Sequence, residues 1–300
     1  MGLKLKDLFY APVIRFYWSN KELKEEIYFS GIIRHIKRKN ISFLFTNILK
    51  STYRLKSFVI FKSHKPDIYS ISYGVSSRTQ KKIINGNHNG IEYFAKTPMC
   101  TSAKHALLNE VKAIKEFNLI GIKTMKKINI QGDFCYENVK GENQYNPNLI
   151  YKKCLMNYPV TKKIKVSEYF KKVSNKSDLN SNDIIDLTIS HGDLTVWNTK
   201  IDNDEVVYID LERYQKYRVK FFDMFYYITS YLFFTLKLNP IEILKRTLSF
   251  IKKNNIDKYY YDFFLIDILN EKKQEAKDGF VYVERVNFIN TIENLIRLSK

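Results

Sequence analysis

The sequence is poor in the residues that build disulfide frameworks and thiol or imidazole metal sites. Three cysteines are an odd number, and they form neither a CxxC pair nor another metal-type spacing. Cys100, Cys135 and Cys154 are therefore predicted to be free thiols, which are typical of a reducing cytoplasm. Of the five histidines, His88 and His105 have no partner at ligand spacing.

Long hydrophobic runs are also missing. The most apolar segment, residues 224–236, has only thirteen residues, whereas a bilayer-spanning helix needs roughly 20. It is interpreted as a buried helix. The N-terminal apolar stretch is interrupted by Lys, Asp, Pro and Arg, unlike a signal peptide, and Lys6 replaces the Ser or Thr of a myristoylation motif. We expect a cytoplasmic location.

What the chain has in excess is positive charge. Fifty Lys and Arg residues against 31 Asp and Glu residues produce a net charge of +19. A basic surface suits nucleic acid, anionic lipid or polyphosphate substrates. The lysines are spread along the whole chain, however, and a compositional drift toward Lys, Asn, Ile, Tyr and Phe explains part of the excess. Charge alone therefore selects no partner.

Hydrophobic patterning divides the chain into three predicted parts. Residues 1–66 are predicted to be a basic helical extension, with a helix over 21–39 that packs on the main body or, alternatively, lies on a membrane surface. Residues 67–140 predict a small α+β unit, in which the Asn-Gly pairs of 85–90 indicate a tight hairpin. Residues 141–300 are predicted to be mainly helical from about 219. The individual predictions are strands at 67–74, 79–86, 90–98, 124–130 and 133–139, and helices at 101–117, 219–237, 240–254, 257–273 and 282–299.

One short segment carries the strongest chemical signal. Residues 191–198 read H-G-D-L-T-V-W-N, which has the His-x-Asp and Asp-to-Asn spacing of a kinase catalytic loop. In such a loop Asp193 would accept the proton of an acceptor hydroxyl, and Asn198 would hold a magnesium ion. Asp210, after the strand-like run EVVYI, would supply a carboxylate for the same metal. Upstream, Lys96 ends a predicted strand and Glu110 follows in a helix, as in the Lys–Glu pair that holds nucleotide phosphates.

These motifs resemble the aminoglycoside phosphotransferase and choline kinase-like family. ISHGDLTVWNTKID is similar to that family's catalytic loop and VVYIDLE to its metal-binding strand. YGVSSRTQKKII, with Ser76 and Ser77, is similar to its nucleotide-covering hairpin, and FCYENVKGE, with Glu137 and Val139, to its hinge. The resemblance also implies that Asp223 braces the catalytic loop. The VWN ending and the basic N-terminus look most like members that accompany bacterial surface-polysaccharide synthesis.

The resemblance implies a protein-kinase-like bilobal α+β fold, with a small antiparallel-sheet N-lobe, one key helix and a mainly helical C-lobe. It implies transfer of phosphate from ATP, with Mg, to a hydroxyl of a small molecule or saccharide. Two alternatives are a nucleic-acid-binding protein, for which no motif is present, and a catalytically weak pseudokinase-like scaffold. We expect no nucleic-acid partner, and peripheral contact with an anionic membrane is considered alongside the cytoplasmic location. Acceptor identity and oligomeric state stay open.

Three neighbouring residues have interpretations of their own. His191 is predicted to brace the loop through its ring nitrogens instead of acting as a base. Trp197 is predicted to pack within the loop. Glu212 is interpreted either as a residue bordering the acceptor site or as a salt-bridge partner of Arg213 or Lys216.

Overall fold

The computed structural model contains an antiparallel sheet region and a region built mainly of helices. Its strands are β1 Val13–Ser19, β2 Glu22–Tyr28, β3 Ile68–Tyr73, β4 Lys81–His88, β5 Ile91–Pro98, β6 Lys123–Thr124, β7 Cys135–Glu137, β8 Glu142–Asn143, β9 Val160–Lys165, β10 Ile184–Ser190, β11 Thr199–Asp202, β12 Glu205–Tyr208 and β13 Gln215–Val219. Its helices are α1 51–60, α2 Thr101–Leu119, α3 Pro147–Lys153, α4 Phe222–Ser230, α5 Pro240–Lys253, α6 Lys258–Lys277 and α7 Val283–Ser299. The structure describes residues 13–19, 22–28, 51–60, 67–73, 81–130, 134–143, 145–153, 156, 158–169, 183–277 and 283–299.

The chain divides into two compact units. The first, called here the sheet unit, comprises residues 1–108, 125–138 and 279–284. The second, the helical unit, comprises residues 109–124, 139–278 and 285–300. The predicted combination of an antiparallel-sheet N-terminal part and a mainly helical C-terminal part is confirmed, and helix α2 contributes residues to both units.

The sheet unit is a six-stranded antiparallel sheet in the order β2-β1-β3-β4-β5-β7. Side chains alternate between its two faces, so directly paired residues such as Ile71, Ile84 and Ala95 share one apolar face. Helix α1 covers part of that core, because the ring of Tyr53 stacks on that of Tyr73 at 4.4 Å. Burial of this face stabilises the pairing.

The helix predicted over residues 21–39 is wrong for its first part. Residues 22–28 form β2, which pairs antiparallel with β1 along its whole length. Pairing with the β-branched and aromatic strand VIRFYWS overrides the local helix preference of ELKEEIY, because strand propensity depends on cross-strand neighbours. Strand β1 in turn pairs with β3, so residues 13–28 extend the sheet of the next predicted part. Residues 29–39 lie outside the described part of the chain.

The tight hairpin predicted from the Asn-Gly pairs is confirmed. Strands β4 and β5 pair up to His88 and Ile91, which leaves Asn89 and Gly90 as the two turn residues. Both have positive φ, 52° and 83°. A two-residue turn of this hand matches the twist of the flanking strands, which is why Asn-Gly favours it.

The helical unit contains two small sheets and the C-terminal helices. The sheets have the orders β13-β10-β9 and β6-β12-β11-β8. The helix predicted from residue 219 begins only at Phe222, because the preceding residues pair as β13 with β10. The predicted break at Pro240 is confirmed, since Pro240 opens α5 and the Asn239 side chain caps it by accepting from the Glu242 amide at 3.0 Å. Among the described residues no helix could cross a membrane.

The thiols that the structure describes match the expectation of free cysteines. Cys100 is exposed and Cys135 is buried in the core of the sheet unit, and neither forms a disulfide. Cys154 lies outside the described residues.

Candidate active site

The loop that follows β10 is held in place by one buried carboxylate. Asp223, in the first turn of α4, accepts hydrogen bonds from Ser190 Oγ at 2.8 Å and from the backbone amides of His191 at 2.6 Å and Gly192 at 3.0 Å. A carboxylate with three donors resists displacement, because each broken bond would leave a charged group unsatisfied in the interior. The predicted role of Asp223 as the brace of this loop is confirmed.

His191 is a structural residue of the same loop. Its ring is fully buried and contacts the ring of Tyr208 edge-on at 5.7 Å. Its Nε2 lies 2.9 Å from the carbonyl oxygen of Ile209, and since a carbonyl can only accept, Nε2 carries the hydrogen. Its Nδ1 then accepts from the Asp193 amide at 3.4 Å. The prediction that His191 braces the loop through both nitrogens is confirmed.

Asp193 has a half-buried carboxylate with two defined neighbours. The Tyr226 hydroxyl donates to Oδ1 at 2.7 Å, and the guanidinium Nε of Arg213 lies 3.9 Å from Oδ2. Burial and the nearby Asp193 charge raise the pKa of Tyr226 well above its ordinary value, so Tyr226 remains a donor at neutral pH. The carboxylate is thereby fixed in orientation while part of it faces solvent. This is the arrangement that a general base requires.

Asn198 closes the loop onto Asp193. Its side-chain Nδ2 donates to the backbone carbonyl of Asp193 at 2.8 Å. The backbone carbonyl of Asn198 accepts a hydrogen bond from the backbone amide of Ile209 at 3.1 Å, and this bond ties the loop to the segment that carries Asp210. With Nδ2 so engaged, the amide oxygen Oδ1 is the side-chain atom that could bind a cation.

Three carboxylates converge beside this loop. Glu110 of α2, Asp210 and Glu212 each have one oxygen within 4.8 Å of the others. Asn109 places α2 here, because its Nδ2 donates to the carbonyls of Glu212 and Tyr214, both at 2.9 Å. Asp210 adopts a left-handed backbone conformation with φ 60°, which is costly for an aspartate and is a feature of functional sites.

These donors fit a hard divalent cation. Carboxylate and amide oxygens are the ligands that Mg²⁺ and Ca²⁺ prefer, and like charges this close are best compensated by a cation. Asp210 and Asn198 are the metal ligands predicted from the sequence, and the structure places Glu212 and Glu110 beside Asp210.

Arg213 also belongs to a charged network with two glutamates of α6. Its Nη1 donates to Glu271 at 3.2 Å and to Glu275, both on α6. Burial alone would lower the pKa of Arg213, but the carboxylates of Asp193, Glu275 and Glu271 outweigh that effect and raise it. In the same way, burial would raise the pKa of Glu271, but Arg218, Lys272 and Arg213 hold it well below its usual range. Arg213 and Glu271 therefore both stay charged at neutral pH.

The predicted nucleotide-binding residues are distributed over both units. Lys96 lies on β5 of the sheet unit, where its backbone pairs with Ile83 and its side chain is 7% exposed. Glu137 ends β7 of the same unit, whereas Glu110 and Val139 belong to the helical unit. Ser76 and Ser77 lie outside the described residues.

Comparison with solved structures identifies the fold. An aminoglycoside phosphotransferase, APH(4)-Ia, in a thermostable mutant form, aligns with a TM-score of 0.50 over 77% of this chain and 95% of its own, at 7% identity. The chain has the protein-kinase-like fold of the aminoglycoside phosphotransferases. The predicted fold class is thus confirmed. Amicoumacin kinase hAmiN aligns at a TM-score of 0.47 and 13% identity, over 81% of this chain and 93% of its own. Choline kinase LicA from Streptococcus pneumoniae aligns at 0.44 and 12%, over 83% of this chain and 99% of its own.

Comparison of the sequence, unlike comparison of the structure, finds no match. No protein-family model and no curated protein sequence matches the chain. The kinase-like fold is therefore detected through the structure and through the short motifs of residues 189–212.

Sequence reasoning missed the two side chains that orient Asp193. From the sequence, Tyr226 belongs to an apolar run that predicts a buried helix, and Arg213 is predicted only as a possible partner of Glu212. A usable signal exists for Tyr226, because it lies three residues after Asp223 and therefore on the same face of α4. In the structure Arg213 pairs with Asp193, Glu271 and Glu275, and Lys216 pairs with Glu116.

Proposed function

We propose that this protein is an ATP- and magnesium-dependent phosphotransferase that phosphorylates a hydroxyl group. The observation that carries the proposal is the orientation of Asp193 by Tyr226 and Arg213, on a loop closed by Asn198 and joined to the Glu110–Asp210–Glu212 cluster. A base and a set of hard oxygen ligands on one rigid loop meet the two needs of phosphoryl transfer, which are positioning and charge neutralisation.

Asp193 acts as the base in the proposed reaction. Its solvent-facing carboxylate accepts the proton of the acceptor hydroxyl while the acceptor oxygen forms a bond to the γ-phosphorus of ATP. The bond between that phosphorus and the β–γ bridging oxygen breaks, and ADP leaves with the electron pair. Asn198 Oδ1 and the carboxylates of Asp210 and Glu212 would hold magnesium, which when bound neutralises phosphate charge. APH(4)-Ia, an aminoglycoside phosphotransferase by name, has the same fold, and this likeness supports a small-molecule acceptor.

As part of this proposal, six residues bind the nucleotide: Lys96, Glu110, Ser76, Ser77, Glu137 and Val139. Lys96 would contact the phosphates and Glu110 would orient it, as the spacing of the two residues in the sequence indicates. Glu110 also lies in the carboxylate cluster, which gives it a position next to the proposed metal ligands of the helical unit.

The sequence supports a more specific proposal for the acceptor and for the cellular location. We infer a saccharide acceptor in bacterial surface-polysaccharide synthesis, supported by the resemblance of the VWN ending and the basic N-terminal segment. The setting would be the cytoplasm, and the net charge of +19 favours contact with the anionic inner face of a membrane. Nucleic acid is not a proposed partner.

The decisive experiment compares Asp193→Asn with the wild type. With ATP, magnesium and a panel of sugar and amino-alcohol acceptors, ADP release and phosphorylated product are measured together. Asp193→Asn is expected to lower kcat by at least about 100-fold, the size of a general-base contribution, while nucleotide binding persists. Asp257→Asn, an exposed aspartate of the same unit, is the matched control and should behave as wild type. Normal turnover of Asp193→Asn with a true acceptor would remove Asp193 from the mechanism.

A further inference from the structure

Helix α1 leaves an open groove between one of its flanks and the sheet that it covers. The groove has a volume of about 530 Å³, and Leu55, Lys56, Val59 and Ile60 line its helix side. This volume lies within the roughly 300–1,000 Å³ of sites that bind small molecules. The described residues of its lining all belong to the sheet unit, so the site lies within one compact unit. We call it the α1 groove.

The α1 groove lies on the opposite face of the sheet from the Lys96 side chain. Tyr73 and Thr97 both pair with Lys82, so these three side chains form a row across β3, β4 and β5. This row lines the sheet side of the groove. Because successive side chains along a strand point to opposite faces, Lys96 points away from the face that carries Thr97. The groove is therefore separate from the proposed phosphate contact of Lys96.

Lys82 is a half-buried cation that has no carboxylate partner among the residues that the structure describes. Removal of its ammonium from water lowers the pKa of Lys82, and no described negative charge offsets this effect. The second lysine of the lining, Lys56, is exposed, and its ammonium lies 5.8 Å from the ring centre of Tyr53. The described lining contains no acid. Both ammonium groups are therefore available to an anion in the groove.

Apolar side chains of α1 continue from the groove into solvent. Leu55 is 68% exposed, Val59 is 59% exposed and Phe58 is 48% exposed. Tyr53 and Ser57, one helical turn apart, are by contrast buried. The helix thus packs on the sheet with one face and leaves three large apolar side chains in water. Such a cluster beside cations is typical of a surface that binds a protein or a membrane.

An acyl chain with an anionic head fits these features better than another protein does. The described lining comprises eight residues, whereas a stable protein–protein interface uses roughly 20–30 residues on each side. An apolar groove with two cations matches an aliphatic chain that ends in a phosphate or a carboxylate. A free fatty acid would leave the exposed side chains of α1 in water, whereas the acyl region of a bilayer covers them. A membrane lipid therefore accounts for both the groove and the apolar side chains around it.

We propose that the α1 groove binds an anionic phospholipid and docks the sheet unit on a membrane surface. One acyl chain of the lipid contacts Leu55, Val59 and Met99, and its phosphate contacts Lys82 and Lys56. The inference rests on the proposed function only for the membrane location, to which it gives a defined surface. Net charge attracts a protein to any anionic surface, whereas the groove requires cations and apolar side chains at fixed positions.

Vesicle flotation measures how strongly the whole chain partitions onto membranes. The probes are vesicles of phosphatidylcholine alone and vesicles of phosphatidylcholine and phosphatidylglycerol in a two-to-one ratio. We expect binding to the mixed vesicles only, because phosphatidylglycerol supplies the anionic head. Absence of binding to the mixed vesicles overturns the proposal.

Matched variants separate the groove from the net charge. Lys82→Gln should lower the partition onto mixed vesicles about fivefold. Lys24→Gln removes the same charge from an exposed residue of the same unit and should change the partition by less than about twofold. Leu55→Ser should lower the partition about tenfold, whereas Leu108→Ser, at a 51% exposed leucine of α2, should leave it unchanged. Equal losses within each pair would overturn the groove as the binding site.

Fluorescence quenching identifies the source of the acyl chain. The chain has two tryptophans, so Phe58→Trp in a Trp18→Phe, Trp197→Phe background carries a single indole, next to Val59 of the groove. Mixed vesicles whose phosphatidylglycerol has brominated acyl chains should quench its emission more than unbrominated vesicles do. Quenching by a soluble brominated fatty acid, without quenching by the vesicles, would indicate a site for a free ligand and overturn membrane docking.

This proposal and the phosphotransferase fail in different ways. Groove-dependent vesicle binding without phosphate transfer would refute the phosphotransferase and keep the lipid site. Phosphate transfer, together with equal vesicle binding by wild type, Lys82→Gln and Leu55→Ser, would refute the lipid site and keep the phosphotransferase.

Discussion

The loop region, defined here as residues 190–226, and the strand that carries Lys96 position their polar side chains by different means. In the loop region, residues 190–226 hydrogen-bond to one another, and Asp223 alone accepts three of these bonds. In the sheet unit, regular pairing of β5 with β4 places Lys96, and its ammonium lies 6.0 Å from the ring centre of Phe94. Side-chain hydrogen bonds hold the loop region in place, whereas backbone pairing positions the strand.

This difference indicates how each region should respond to mutation. In the loop region a single side chain often serves two contacts, so removing it disturbs its neighbours as well. If Glu110 orients Lys96, as proposed, the effect of removing Lys96 should depend strongly on whether Glu110 is present.

Asp210→Ala should have the largest effect in this comparison. It removes a charged ligand from the carboxylate cluster, and the affinity for magnesium–ATP should fall by about 3 kcal/mol, roughly 100-fold. Calorimetry with ATP and magnesium measures the loss directly. Glu242→Ala, an exposed acid in the first turn of α5, is the control and should bind normally. Equal affinities for Asp210→Ala and wild type would contradict the metal assignment.

Lys96→Ala and Glu110→Ala, made singly and together, test whether Lys96 in the sheet unit works together with Glu110. If Glu110 orients Lys96, each single variant should lower kcat/KM by about tenfold, and the double variant should be little worse than the poorer single variant. A double-mutant cycle on kcat/KM measures the coupling free energy. Additive and near-neutral effects would assign Lys96 to a structural role in the sheet and leave the proposed function resting on the loop region.

Tyr226→Phe should have the smallest effect. It keeps the ring contacts with Phe222 and Phe288 and removes only the hydroxyl that donates to Asp193. A lost hydrogen bond to a charged group that still has Arg213 nearby should lower kcat by about fivefold, with the KM of ATP unchanged. Steady-state kinetics measure this loss. The thermal unfolding temperature of the variant is measured as well, because an unchanged value shows that the loss of kcat comes from the orientation of Asp193 and not from misfolding. Unchanged kcat would show that Arg213 and the backbone suffice to orient Asp193.

The sequence predicts the loop region better than the rest of the molecule for a physical reason. His191, Asp193 and Asn198 are neighbours in sequence, and their contacts with one another depend on the local geometry of one loop, so spacing alone predicts their roles. Strand β2 shows the opposite case. Its residues have a helix-like pattern, and only the partner strand β1 makes them extended.

Sequence by itself determined the kinase-like motif, the fold class, the tight turn at Asn89 and Gly90, and the bracing roles of His191 and Asp223. Each of these depends on residue type and spacing over a few positions, or on one recognisable partner. Tertiary structure alone decided that Tyr226 and Arg213 orient Asp193, that Glu212 joins Asp210, and that Trp197 faces solvent. These outcomes depend on the packing of α4, α6 and α2 around the loop, because contacts between residues tens of positions apart leave no periodic or spacing signal in the chain.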